Sequence, residues 1–156
     1  VRLDEKELRR WGQRIGASIE TPVFIGLSGP LGAGKSVLAR AIGAGAGVDQ
    51  AMPSPSYNLA FRYATPSGRE VVHLDLYRVS SPDELWELGW EQLGARNDLA
   101  VVEWPERALD RLPPDHWLIE LSVPEDLLDR RDVSVRRIGA PPELPAFPLS
   151  VSLSGE

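Results

Sequence analysis

The chain has 156 residues, 42% of them hydrophobic and 26% charged, with a net charge of −6 and an isoelectric point near 5.0. It has no cysteine, which excludes disulfides, cysteine nucleophiles and thiolate metal sites, and its two histidines leave little for a zinc site. An acidic balance argues against a protein that grips nucleic acid backbone unaided, and no apolar run reaches the ~18 residues of a membrane span.

Residues 4–17 read as an opening helix. Asp4 is placed to cap it, and Leu8, Trp11 and Ile15 recur at helical spacing. Val23 to Leu27 reads as a short strand, apolar enough to be covered on both faces. A glycine-rich turn follows, then a helix from Lys35 to Ala44. Ala51 to Ser56 is a proline-broken loop, and Tyr57 to Tyr63 alternates weakly as a strand.

Val71 to Asp75 is a second apolar strand with an acid at its end. Ser81 and Pro82 open a further helix, with Ser81 as cap and Pro82 at the first position. Trp86 and Trp90 are spaced like one helical face and read as core. Leu99 to Glu103 is a third strand, again ending in an acid. Trp117–Val123 and Val133–Ile138 complete the strands. The expected organisation is one domain over residues 1–139, with a proline-rich tail or edge strand over 140–156. Alternating helices and strands followed by clustered strands give an α/β class with a mixed central sheet. The charged N-terminal residues lack the apolar stretch of a signal peptide, so a cytoplasmic protein is expected.

Gly29-Pro-Leu-Gly-Ala-Gly-Lys-Ser36 fits G-x-x-x-x-G-K-S at every fixed position. It sits between an apolar strand and a helix, where the chemistry needs it. Its glycines let successive N–H groups turn inward around phosphate oxygens, and the helix aims its positive end at the same anion. The nucleotide-binding set is Gly29, Leu31, Gly32, Ala33, Gly34, Lys35, Ser36 and Val37. Lys35 is expected to reach the outer phosphates, and the Ser36 hydroxyl to complete magnesium coordination. Lys35 is one of only two lysines among seventeen basic residues.

Magnesium takes one or two carboxylates beside phosphate and water, and α/β sites lie at the carboxyl ends of strands. Asp75 and Glu103 both end apolar strands and are the candidate metal and catalytic acids. Ser56, in Ser54-Pro-Ser-Tyr57, is a candidate switch hydroxyl; the other reading is a plain loop. Trp104 either belongs to the core or covers the nucleotide. His73 reads as a packed strand residue.

The P-loop, Ser54–Tyr57, His73-Leu-Asp-Leu-Tyr-Arg78 and Glu103-Trp-Pro-Glu106, in this order and spacing, resemble the TsaE (YjeE) family. Glu84-Leu with Leu88-Gly89 falls where that family keeps a similar stretch, and the resemblance runs from Asp4 to Glu120. It implies a P-loop fold on a mixed sheet and an ATPase using Mg²⁺. It further implies work with the TsaD- and TsaB-type subunits that transfer threonylcarbamoyl to the adenine beside the anticodon. Such a protein aids turnover of that complex without doing the transfer, and meets tRNA through its partners.

The resemblance also makes Asp75 the Walker B acid, puts Glu103 on the metal or its water, and puts Trp104 near the nucleotide. Ser36 and Ser56 stand where the family usually has threonine, which preserves the hydroxyl, and Pro30 stands where an aspartate is common. A small-molecule kinase would need an acceptor pocket and an arginine lid, which Arg130-Arg131 and Arg136-Arg137 do not suggest by pattern. A GTPase would show Asn-Lys-x-Asp, which neither lysine can supply. A non-catalytic ATP-binding module is the remaining alternative. The Leu8 to Ile15 helix is either core or lies beside the adenine of a bound nucleotide.

Overall fold

The computed structural model describes residues 1–53, 55, 60–93 and 97–147. Its elements are β1 (Arg2–Asp4), α1 (Glu5–Ser18), β2 (Val23–Ser28), α2 (Lys35–Ala46), β3 (Ala60–Ala64), β4 (Glu70–Asp75), β5 (Asp98–Glu103), β6 (His116–Ser122) and β7 (Arg130–Ile138). Three 3₁₀ segments, Pro82–Leu88, Trp90–Gln92 and Pro105–Arg111, lie between the later strands. The seven strands form one sheet in the order β1-β7-β6-β2-β5-β4-β3. β6, β2, β5 and β4 are mutually parallel, and β7, β1 and β3 join antiparallel. The α/β class with a mixed sheet is therefore as expected.

Alternation along the central strands divides the core in two. Ile25, Leu27, Val71, Leu99, Val101 and Ile119 face α1 and α2, while Phe24, Val72, Leu74, Ala100 and Val102 face the 3₁₀ layer. Each fully buried aliphatic side chain contributes about 1.5–3 kcal/mol. α1 starts where the sequence places it. The Asp4 side chain accepts from Glu7 N at 2.8 Å, and Glu7 Oε1 accepts from Asp4 N at 3.0 Å, a reciprocal cap. Its inner face carries Leu8, Trp11, Gly12, Ile15 and Gly16. Gly16 lies against the backbone of α2 at Ile42, and Gly45 of α2 lies against the backbone of α1 at Gln13. The two helices therefore pack closer than any side chain would permit.

Several elements differ from the sequence reading. The helix opened by Ser81 is a 3₁₀ segment: only seven residues separate the Ser81 cap from Gly89, whose left-handed backbone (φ 73°) ends it. That is too short to offset α-helix nucleation. The break also separates Trp86 from Trp90. Trp86 is 58% exposed, whereas Trp90 meets Phe24 edge-on at 5.7 Å. β1 was not expected; its three residues are too few for a periodic signal.

In the C-terminal stretch, residues 140–147 form no strand and run beside α1 and β6. Trp11 Nε1 donates to Pro145 O at 3.1 Å, Phe147 lies 4.6 Å from the Trp11 ring, and Trp117 Nε1 donates to Pro142 O at 2.6 Å. No helix among the described residues is long and apolar enough to cross a membrane.

Candidate functional site

The parallel register brings the carboxyl ends of β2, β4 and β5 level, with Leu27 opposite Glu103 and Glu103 opposite Asp75. On the face of the sheet shared with Val71 and Val101, His73, Asp75 and Glu103 all point toward α2. Beyond β2 the chain turns through Gly29 to Gly34. Gly29 (φ 144°) approaches the Leu121 carbonyl too closely for a Cβ, and Gly34 (φ 101°) caps α2 in a left-handed conformation. These constraints deliver Lys35 and Ser36, the first two residues of α2, to the ends of the strands.

Lys35 is 5% exposed, and its Nζ donates to Gly29 O at 2.6 Å and Pro30 O at 2.8 Å. The same ammonium lies 4.5 Å from the centre of the Trp104 ring. Burial pushes its pKa down, and the nearby carboxylates of Glu103, Asp75 and Glu106 act in the opposite direction. Pro30 leaves the loop's geometry intact: its carbonyl serves Lys35 and accepts from Ala33 N at 3.2 Å.

Ser36 Oγ donates to Glu103 Oε1 at 3.0 Å and lies 3.3 Å from Oε2. Glu103, 2% exposed, also receives His73 Nε2 at 2.6 Å on Oε2. Asp75 Oδ1 accepts from Tyr77 N at 2.9 Å. Burial raises the Asp75 carboxyl pKa above 3.8, with repulsion from Glu103 adding to it, while Tyr77 N, His73 and Lys35 offset part of the rise.

A cavity of about 710 Å³ opens over these groups, lined by Gly32, Gly34, Lys35, Ser36, Val37, Asp75, Glu103 and Trp104 among others. That is the size of a site for a nucleotide-like ligand. Leu31 also lines it and is 69% exposed, whereas Gly29 and Ala33 support the loop from behind. Trp104 is half-buried with a left-handed backbone (φ 59°), and its ring lies 4.9 Å from that of Tyr77. It is thus both a flank of the second core and a wall of the cavity. Leu8 is core, and with Glu5 it also lines the cavity.

The structure adds residues that sequence reasoning passed over. Arg131, set aside as a strand arginine, lines the cavity; its guanidinium donates to Ala33 O at 3.0 Å and Gly32 O at 3.3 Å. Tyr77 and Arg78 line it as well. His73, read as packing, bonds a site acid. Ser56, the switch candidate, lies outside the described residues together with Ser54 and Tyr57.

The oxygen donors suit magnesium. A hydroxyl and two carboxylates are hard ligands, and among the described residues no cluster of three or more His, Cys, Asp or Glu could hold a metal ion alone. A cation that keeps waters and shares phosphate oxygens needs no such cage.

Comparison with known proteins identifies the family. The family model described as "Threonylcarbamoyl adenosine biosynthesis protein TsaE" matches residues 3–133. A Streptomyces coelicolor protein, "tRNA threonylcarbamoyladenosine biosynthesis protein TsaE", is 32% identical over 136 residues, covering 85% of this chain and 91% of its own length. A protein of the same description from Haemophilus influenzae is 30% identical, with 79% and 80% covered. Among solved structures, Bacillus subtilis YdiB superposes with a TM-score of 0.68 at 20% identity, over 89% of this chain and 84% of that one, a likeness of fold. With its P-loop, strand-end acids and this match along most of its length, the chain belongs to the TsaE family of tRNA threonylcarbamoyladenosine biosynthesis.

Proposed function

We propose that this chain binds ATP with Mg²⁺ and hydrolyses it in support of the subunits, of TsaD and TsaB type, that install threonylcarbamoyl on tRNA. The observation that carries the reading is the bond from Ser36 Oγ to Glu103, within a cavity that also holds Lys35 and Asp75. Ser36, Glu103 and Asp75 would hold the magnesium ion, which when bound supplies charge neutralisation to the phosphates. The P-loop amides and the start of α2 would cradle the phosphate chain.

Lys35 would exchange the carbonyls of Gly29 and Pro30 for phosphate oxygens, and charge building there in the transition state would meet an ammonium already desolvated. Glu103 and Asp75 are the groups available to orient the attacking water. Ser56 would sense the outer phosphate. Trp104, in contact with both Lys35 and Tyr77, would close one side of the site. The protein's own acidity suits contact with tRNA through its partners.

The test is Mg²⁺-dependent ATP turnover by wild type and Lys35→Ala. The variant is expected to lose at least tenfold, about 1.4 kcal/mol of transition-state stabilisation. Unchanged turnover would contradict the assignment.

A further inference from the structure

We propose that His73 is a positioning residue for the metal site, holding the Glu103 carboxylate so that its other oxygen is presented to Ser36 and the cation; this rests on the magnesium–nucleotide reading above. His73 lies within β4, wholly buried. Its Nε2 is 2.6 Å from Glu103 Oε2, while Ser36 Oγ reaches Oε1 of the same carboxylate at 3.0 Å. His73 thus holds Oε2 from the sheet, while the Ser36 hydroxyl from α2 sits nearer Oε1 and also lies 3.3 Å from Oε2.

Among the described residues, His73 Nδ1 has no hydrogen-bond partner. Orphaned N–H groups are rarer in proteins than orphaned acceptors, so the proton belongs on Nε2, where a carboxylate receives it. Packing alone does not account for such a residue. On the same face Val71, Leu99 and Val101 are apolar and the polar neighbours are the acids Asp75 and Glu103; an apolar side chain would leave no buried nitrogen unsatisfied. The other histidine is a useful contrast. His116 bonds Pro113 O through Nδ1 at 2.6 Å and packs edge-on against Phe24.

The Ser36 and Oε1 oxygens are those a magnesium ion would draw on; the Oε2 bond to His73 need not break when it does. Without that bond only the Ser36 hydroxyl restrains rotation of the carboxylate about its last side-chain torsion. Groups that orient a metal ligand in this way commonly change metal affinity by about tenfold or more when removed.

The experiment is ADP binding by calorimetry, with Mg²⁺ and with EDTA, for wild type, His73→Leu and His73→Gln, each also carrying Glu103→Ala. His73→Leu is expected to lose about tenfold of the affinity that magnesium adds, with metal-free ADP affinity held within about twofold. His73→Gln, whose amide N–H can still meet the carboxylate, is expected to recover most of the loss. In the Glu103→Ala background His73→Leu should have no further effect. If the leucine variant does not fold, His73→Phe makes the same comparison.

A His73→Leu protein that keeps the wild-type magnesium gain, or loses affinity equally with and without magnesium, overturns the inference alone. So does a full additional loss in the Glu103→Ala background. Wild-type protein that binds no ADP, or binds it without regard to magnesium, overturns the nucleotide–metal reading and this inference with it.

Discussion

Ser36 at the start of α2 and Glu103 at the end of β5 are joined side chain to side chain, Oγ to Oε1 at 3.0 Å, although sixty-seven positions separate them in sequence. The contact exists because β2 and β5 pair in parallel with Leu27 opposite Glu103, so the turn leaving β2 must pass the last side chain of β5. It couples the phosphate loop to the acid in a single unit.

Removing either partner should therefore disable the same step. Ser36→Ala and Glu103→Gln are each expected to lower Mg²⁺-dependent ATP turnover at least tenfold, about 1.4 kcal/mol. Their combination should cost less than the product of the two losses, because they share one function. Steady-state rates across a magnesium titration measure this; full multiplicativity would contradict a joint role.

Asp75 should reveal its function as a stability cost. Burial raises its carboxyl above the ordinary 3.8, so the folded state binds the proton more tightly than the unfolded state does. The stability it allows is fully present below 3.8 and falls as pH rises through the raised folded value. At neutral pH the ionised group is a burden that a bound cation would relieve. Asp75→Asn keeps the oxygen that accepts from Tyr77 N, and should melt higher than wild type at pH 7 without nucleotide or metal while losing turnover. The thermal gain should vanish on acidification. Equal or lower melting at neutral pH would contradict this.

Trp104 should report the state of the site. Its ring lies 4.5 Å from the Lys35 ammonium, an arrangement that changes if the lysine leaves Gly29 and Pro30 for phosphate. ATP with Mg²⁺ is expected to change tryptophan emission in wild type. Trp104→Phe should abolish most of that change while retaining binding by calorimetry. A signal that persists in the variant would assign it to another tryptophan.

The crossing of α1 and α2 should not tolerate a methyl group. In Gly16→Ala the gain in helix propensity, about 1 kcal/mol, is opposed by a Cβ driven into the Ile42 backbone, which cannot move aside as a side chain could. Overpacking of this kind costs about 1–3 kcal/mol; here the clash with backbone puts it at the upper end. The melting temperature should fall by about 2–4 °C per kcal/mol of net loss. Gly45→Ala, against Gln13, should behave alike, and the two should not add. Unchanged melting would mean that the helices separate at little cost.

How far the site was legible depended on how local its determinants are. Gly29 to Ser36 is contiguous, so spacing alone picks out the loop and its two candidate side chains, Lys35 and Ser36. Asp75 and Glu103 could be picked out because each ends an apolar run, but their being opposite one another is a matter of strand register, which no local pattern encodes. His73 looked like any strand residue for the same reason: its partner is thirty positions away on a neighbouring strand. Arg131 reaches the loop only because β7 returns antiparallel beside β6, so its pairing with Arg130 in sequence carried no hint of it. Ser81 and Pro82 announced a helix correctly but not its type, which Gly89 decides by ending it after two turns. Asp4 announced α1 correctly because its cap and its apolar stripe are both local signals.

The most direct test of the account is ATP hydrolysis by the purified protein with Mg²⁺, measured alone and with the TsaD- and TsaB-type subunits and tRNA. The account predicts weak turnover alone, a sharp rise with the partners, and loss of both with Lys35→Ala. Absence of turnover under every condition, or turnover indifferent to Lys35 and magnesium, would contradict it.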